Sequence, residues 1–378
     1  MTTISPHPLG PRPGRAARLP GLVGVLGTGL LLAACSSAAS TSPRSTSSLG
    51  STTATGPPTN THLPPTSTEA PPTSSGKPPT STEPPPTSTK PPPSPALVPL
   101  PEPAPLQPFA ANPLRGEGMW QPAGRLVDGH PAVYETMLQQ PGSSIEAGIA
   151  WMDTRLLRAQ LYSGSRGPGP GPWKFTAPIL PAAARKLVAV FNGGFQFPSA
   201  EGGYYSEGRL YYPLRAGGAS LVIYRNGNVT VGQWGRDVTM TPQVVSVRQN
   251  LTLLVDGGQP VPVLNPNDTY AWGSSLGGIP NQWRVGLGER ADGSLVFVAG
   301  PSLEITQLAA LLVRAGSVRA MTLDMNPEWT VFVTYDPQTP GGLASPSNGR
   351  RLVASMAQGP YTFFEASWSR DFITMSAR

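Results

Sequence analysis

The chain has 378 residues, with 27 Lys/Arg, 21 Asp/Glu, three His and one Cys, for a formal net charge of +6. Residues 1–108 carry six of the basic and three of the acidic side chains, so the excess is shared equally between the two parts of the chain. With no basic run and no aromatics interleaved with lysines, nucleic-acid binding is excluded as a function class. A single cysteine excludes an internal disulfide, and zinc sites built on His and Cys are excluded by count. A Ser-His-Asp triad would have to use His130, whose Asp-Gly-His-Pro context reads first as a turn.

In chain order, Arg12, Arg15 and Arg18 precede an apolar run over 19–34, too short to span a bilayer as a stable helix. A basic start, a short apolar stretch and small residues before a cut site make a secretory signal peptide over 1–34. The run ends in Leu-Ala-Ala-Cys at Cys35. This resembles the bacterial lipobox, which implies cleavage before Cys35, acylation of its thiol and new N-terminus, and an extracytoplasmic, membrane-anchored protein. Several acyl chains give a lasting anchor where one gives only marginal binding.

Residues 35–108 read as a disordered linker of Pro, Ser and Thr, because too little apolar surface is present to offset the entropy of ordering. Within it a seven-residue repeat begins at Pro64, Pro71, Pro78 and Pro85, with no apolar seam for a coiled coil. Proline favours polyproline II at about 3.1 Å per residue, so the linker reaches on the order of 200 Å when extended.

Residues 109–378 are expected to form one folded domain. Strand patterns cover 132–138, 147–152, 156–162, 186–191, 221–224, 229–234, 284–287, 294–298, 318–323 and 330–334. Asn226-Gly227 between two of them predicts a hairpin. Residues 305–315 predict a helix with Leu308, Leu311 and Leu312 on one face, a start at Ser302 and a stop at Gly316; a weaker helix covers 181–185. Many strands and few helices give an α+β fold on a mixed or antiparallel sheet.

Four segments carry the chemistry, each at a strand end or in a strand. Asn192-Gly193-Gly194-Phe195 is a turn whose glycines allow close backbone approach and whose N–H groups could face an anion. Val255-Asp256-Gly257-Gly258 repeats the theme, with a simple Asp-Gly turn as an equal alternative. Arg284, between apolar neighbours, needs a partner if half buried. The apolar strand ending at Leu323 delivers Asp324, Asn326 and Glu328 within five residues.

In this order the segments resemble the phosphodiester glycosidase family. Asn192-Gly193-Gly194-Phe195 matches its Asn-Gly-Gly-Phe turn, and Arg284-Val285-Gly286 with Asp292-Gly293 its arginine strand and following turn. The helix at 305–315 leads into Leu323-Asp324, and Arg351 matches a late arginine. After Asp324 this chain reads Met325-Asn326-Pro327-Glu328 where the family has three glycines and a serine.

The resemblance implies an envelope hydrolase of a sugar 1-phosphodiester of the N-acetylglucosamine-1-phosphate type, with wall or surface glycans as partner. Asp324 would be base or nucleophile and Glu328 or Asp256 the second carboxylate. Arg284, Gly193, Gly194 and Arg351 would meet phosphate, and Asn192 and Asn326 the sugar hydroxyls. Trp272, Trp283, Trp329, Tyr204 and Tyr205 are candidates for stacking on a sugar. No cofactor motif is present, and a divalent cation stays open. The alternative function is a catalytically inactive glycan-binding or scaffolding lipoprotein.

Overall fold

The computed structural model describes residues 97–378 apart from 198, 266, 269, 270, 274–278, 280 and 340. The expected signal peptide, Cys35 and the expected linker up to residue 96 lie outside the described residues.

Three sheets build the domain. The first has eight strands in the order β1-β2-β3-β14-β13-β15-β11-β12. These are β1 (Gln121–Val127), β2 (His130–Gln139), β3 (Glu146–Met152), β14 (Leu295–Leu303), β13 (Gln282–Arg290), β15 (Ser317–Asp324), β11 (Leu253–Asp256) and β12 (Gln259–Pro260). The second is β7 (Arg209–Tyr212), β6 (Tyr204–Ser206), β10 (Val244–Gln249), β8 (Ala219–Tyr224) and β9 (Val229–Gln233). The third is β17 (Gly349–Arg351), β16 (Phe332–Tyr335), β5 (Leu187–Asn192), β18 (Phe372–Ala377) and β4 (Leu157–Tyr162). Neighbouring strands within each sheet are antiparallel. Among the described residues there are two α-helices, α1 (Pro181–Ala184) and α2 (Ile305–Arg314). The fold is α+β and predominantly antiparallel.

The first sheet is buried on both faces, and the period of two along β14 shows it. Leu295, Phe297 and Ala299 point into a core shared with strands of the other two sheets, while Val296 and Val298 pack under α2 against Leu308, Leu311 and Leu312. The helix starts later than Ser302 because β14 runs on to Leu303, which still pairs with Gln282. Glu304 becomes the cap, its N–H donating to the Gln307 side chain at 2.9 Å while its own side chain accepts from the Gln307 backbone. Gly316, at φ +89°, follows the helix as expected. The β8–β9 hairpin turns at Asn226-Gly227, with Gly227 at φ +84°.

The ordered chain begins earlier than residue 109. Leu100 is buried, and its N–H donates to Asp153 Oδ2 at 2.7 Å. Ala104 O accepts from Trp120 Nε1 at 2.9 Å, Leu106 pairs with Gly118, and the Arg314 guanidinium lies 4.0 Å over Phe109. Leucines 97, 100 and 106, spaced among the prolines, pack against the two main cores. A chain cut back to Phe109 is therefore expected to lose about 2–4 kcal/mol relative to one starting at Ser88, since a buried leucine contributes about 1.5–3 kcal/mol and Asp153 loses a donor. Equal urea midpoints and slopes for the two would show that residues 97–108 contribute nothing.

Candidate functional site

Strand β5 ends at Asn192 and hands the chain to Gly193-Gly194-Phe195. Phe372, the first residue of β18, pairs with Asn192, so Arg370 and Asp371 arrive beside the two glycines. The turn is gripped from both sides. Gly193 N–H donates to Asp371 O at 2.9 Å, Phe195 N–H donates to Asn250 Oδ1 at 2.9 Å, and Asn250 Nδ2 donates to Gly193 O at 3.2 Å. A Cβ on Gly193 would stand 2.1 Å from Asp371 Oδ2, and one on Gly194 (φ +150°) 2.2 Å from Asn250 Oδ1. These contacts, rather than a ligand, account for the glycines. Gly193 N–H, expected to face phosphate, is committed to a carbonyl.

Arg248, near the end of β10, locks the arrangement. It is 1% exposed; its Nε donates to Asp371 Oδ2 at 2.7 Å, its Nη1 to Gln249 O at 2.7 Å and its Nη2 to Phe195 O, while its guanidinium covers the Phe197 ring at 4.2 Å.

Asp324 is the last residue of β15, opposite Val285 of β13, and is 3% exposed. Its Oδ1 accepts the N–H groups of Met325 (2.8 Å) and Asn326 (3.0 Å), which bends the chain sharply away from the strand. Its Oδ2 accepts from Arg370 Nη2 at 3.0 Å, and the same Nη2 donates to Gly194 O at 2.8 Å. Arg370 lies 4.9 Å over the Trp329 ring, and its buried Nε–H has no partner among the described residues. Burial pushes the Asp324 carboxyl above the usual range, and Arg370, the two backbone N–H groups and Arg248 pull it back.

Asp324 and Arg370 line a pocket of about 170 Å³ together with Phe195, Gln196, Ser199, Gln282, Met325, Asn326, Pro327 and Trp329. Of the expected site residues, the pocket takes Asp324 and Asn326. Gly194 touches it through Arg370. Asn192 is buried beneath, its Oδ1 accepting Val331 N–H at 3.3 Å and its Nδ2 without a partner among the described residues.

The other candidates do not line the pocket. Arg284 is buried as anticipated, but it donates to two backbone carbonyls, from Nε to Leu303 at 3.0 Å and from Nη1 to Trp272 at 3.3 Å. Burial brings its pKa down to about 10 against the opposing charge of Glu304. Asp256 sits at the exposed β11–β12 turn in a bidentate pair with Arg236 at 2.6 and 2.9 Å. Glu328 is exposed, and its backbone makes the contacts, donating to Asn326 Oδ1 and accepting from Gln358. Arg351 donates to Gln358 O at 2.8 Å and so braces that loop from behind. Of the five aromatics expected to stack on a sugar, Trp329 alone lines the pocket: Trp272 and Tyr204 are buried, Trp283 packs on the main core and Tyr205 on a smaller one. His130 is an exposed residue opening β2 after a tight turn.

Four residues that build this arrangement escaped the sequence reading: Arg248, Asn250, Arg370 and Asp371. The signal available was a charged pair directly before the apolar strand at 372–377, the same pattern that drew attention to Asp324, read in reverse.

An arginine and a carboxylate on a small walled pocket, beside an Asn-Gly-Gly-Phe turn, invite comparison with known families. Residues 185–357 match the phosphodiester glycosidase family. The family match supports a glycosidase-type hydrolase function and spans the glycine turn, Arg248, Asn250 and Asp324. Arg370 and Asp371 follow it, so the matched segment shares its pocket with residues beyond 357. No curated protein matches the chain. Among solved structures, the zebrafish N-acetylglucosamine-1-phosphodiester alpha-N-acetylglucosaminidase catalytic domain auto-inhibited by pro-peptide aligns at 15% identity and TM-score 0.40, over 68% of this chain and 88% of that one. A hypothetical protein from Synechocystis aligns at 14% and 0.34, over 68% and 64%. A putative exported protein from Burkholderia pseudomallei K96243 aligns at 14% and 0.34, over 63% and 75%.

Proposed function

We propose that the protein is a cell-envelope lipoprotein, anchored through Cys35, whose domain hydrolyses a sugar 1-phosphodiester in wall or surface glycans. The observation that carries this reading is the buried Asp324–Arg370 pair on a pocket of about 170 Å³. In such a reaction the bond from the anomeric carbon to the phosphate oxygen breaks, water supplies hydroxide to that carbon, and the water's proton ends on the released phosphate monoester. The transition state is oxocarbenium-like, and phosphate departs readily if its charge is met. Arg370 is the cation placed to meet it, in the role the sequence suggested for Arg284. Asp324 is the one carboxylate among the described residues that lines the pocket, and Asn326 and Trp329 offer a polar and an aromatic wall to the sugar.

The binding-only alternative has one observation in its favour: both oxygens of Asp324 are already hydrogen-bonded. Incubating the full chain with an alkyl N-acetylglucosamine-1-phosphodiester separates the readings. Release of N-acetylglucosamine is expected, whereas saturable binding without release would leave a glycan-binding protein. In the same cells, Cys35→Ser is expected to move the protein out of the membrane fraction, and unchanged membrane association would end the lipoprotein reading.

A further inference from the structure

Arg370 is the only cation lining the pocket among the described residues, and it is also the sole ion partner of Asp324. A guanidinium presents Nε–H and one Nη2–H side by side, the edge that matches two oxygens of a phosphate. Here the buried Nε–H has no partner among the described residues, while the two Nη2 hydrogens go to Gly194 O and Asp324 Oδ2. An anion that docks on that edge therefore competes with Asp324 for Nη2.

The carboxylate cannot move aside to follow water. Its Oδ1 is fixed by the N–H groups of Met325 and Asn326 at the end of β15, and the side chain is 4% exposed. The remaining charged groups that face it belong to the β10 end, where Arg248 is held by Asp371, and to the segment before β18, which supplies Arg370. With Arg370 engaged by an anion, an ionised Asp324 would be a buried charge next to a second negative charge, the arrangement that most strongly favours protonation.

We propose that the pocket binds its anionic ligand together with one proton, which settles on Asp324 Oδ2 and makes Asp324 the general acid toward the bound phosphate. This rests on the hydrolase reading above and specifies how that site is switched. In the empty site Asp324 is an ion-paired carboxylate that neither donates a proton nor leaves its arginine. The substrate itself breaks the pair, and the resulting acid has its hydrogen aimed at the group that displaced it. The proton then passes to the departing phosphate oxygen, and the water that attacks the sugar restores it. Burial already holds the Asp324 carboxyl above its usual range, which shortens the step to protonation.

Sulfate is a suitable probe because it is tetrahedral and does not titrate near neutral pH. Calorimetric titration of the full chain with sulfate, in buffers of different ionisation enthalpy between about pH 5 and about pH 8, is expected to show close to one proton taken up per sulfate. Affinity is expected to fall by up to about tenfold per pH unit across the same window, as linkage to one proton requires. Asp324→Asn should bind sulfate with neither proton uptake nor pH dependence. Sulfate binding without proton uptake by the wild type would overturn the proposal and leave the anion site standing, whereas no binding at any pH would overturn both. Uptake that persists in Asp324→Asn would place the proton elsewhere and also overturn it. Should that variant not fold, carboxyl carbon-13 shifts of the wild-type protein with and without sulfate show whether an aspartate gains the proton.

Discussion

Asp324→Asn is expected to lower turnover of an N-acetylglucosamine-1-phosphodiester by about two orders of magnitude or more, the usual cost of losing one positioned acid–base group. The substitution leaves the local turn intact. An amide oxygen in place of Oδ1 still accepts the Met325 and Asn326 N–H groups, so the chain leaves β15 along the same path. What changes is the other end, where an NH₂ would face Arg370 Nη2, donor against donor. Arg370 then keeps Gly194 O and the Trp329 face but loses its counter-ion. Some loss of stability accompanies the loss of turnover, and the two are separated by assaying well below the unfolding midpoint. Asp256→Asn and Glu328→Gln serve as controls with unchanged turnover, since neither side chain lines the pocket. Full activity in Asp324→Asn would remove this carboxylate from the reaction.

Arg248→Met is expected to cost about 3–5 kcal/mol, because it strands Asp371 as a buried, uncompensated charge. Both partners are 1% exposed, so solvent cannot take over the role of either. The same arginine also supplies bonds to Phe195 O and Gln249 O, which lose their donor. Against a total domain stability of roughly 5–15 kcal/mol, such a loss removes a large share and lowers the urea midpoint accordingly. Double replacement of Arg248 and Asp371 by apolar residues of similar size should recover part of it, since removing both charges costs less than removing one. A single variant as stable as the wild type would show that the pair is dispensable.

The pattern of legibility follows from how far apart the interacting residues lie. β5 is an almost continuous apolar run buried on both faces, and such runs announce themselves; β15 is apolar with Arg319 and Thr322 set into it, the β8–β9 hairpin is announced by Asn226-Gly227, and α2 by leucines at helical spacing. β7 is an edge strand, Arg-Leu-Tyr-Tyr with three of its four residues exposed, and carries no alternation to read. The short β11–β12 and β17 elements exist only because a longer strand is beside them. For the site, the strand end that delivers Asp324 was visible, but its partner was not. Arg284 and Arg370 are both buried arginines, the first between Trp283 and Val285 and the second between Ser369 and Asp371. Carbonyls of Leu303 and Trp272 satisfy one, and a carboxylate 46 positions away pairs with the other. The charged pair before β18 marks Arg370, whereas the backbone acceptors of Arg284 leave no mark in a sequence.

The pocket stands where the three sheets converge: Asp324 comes from the first, the Arg248–Asn250 stretch from the second, and the glycine turn with Arg370 and Asp371 from the third. Its bonds join residues 46, 55, 123 and 176 positions apart. Closing loops of that length is slow and is rewarded only after the strands have paired. The ladders are equally long-range, Phe372 pairing with Asn192 and Leu295 with Met152, so the pocket takes shape only as the three sheets complete together.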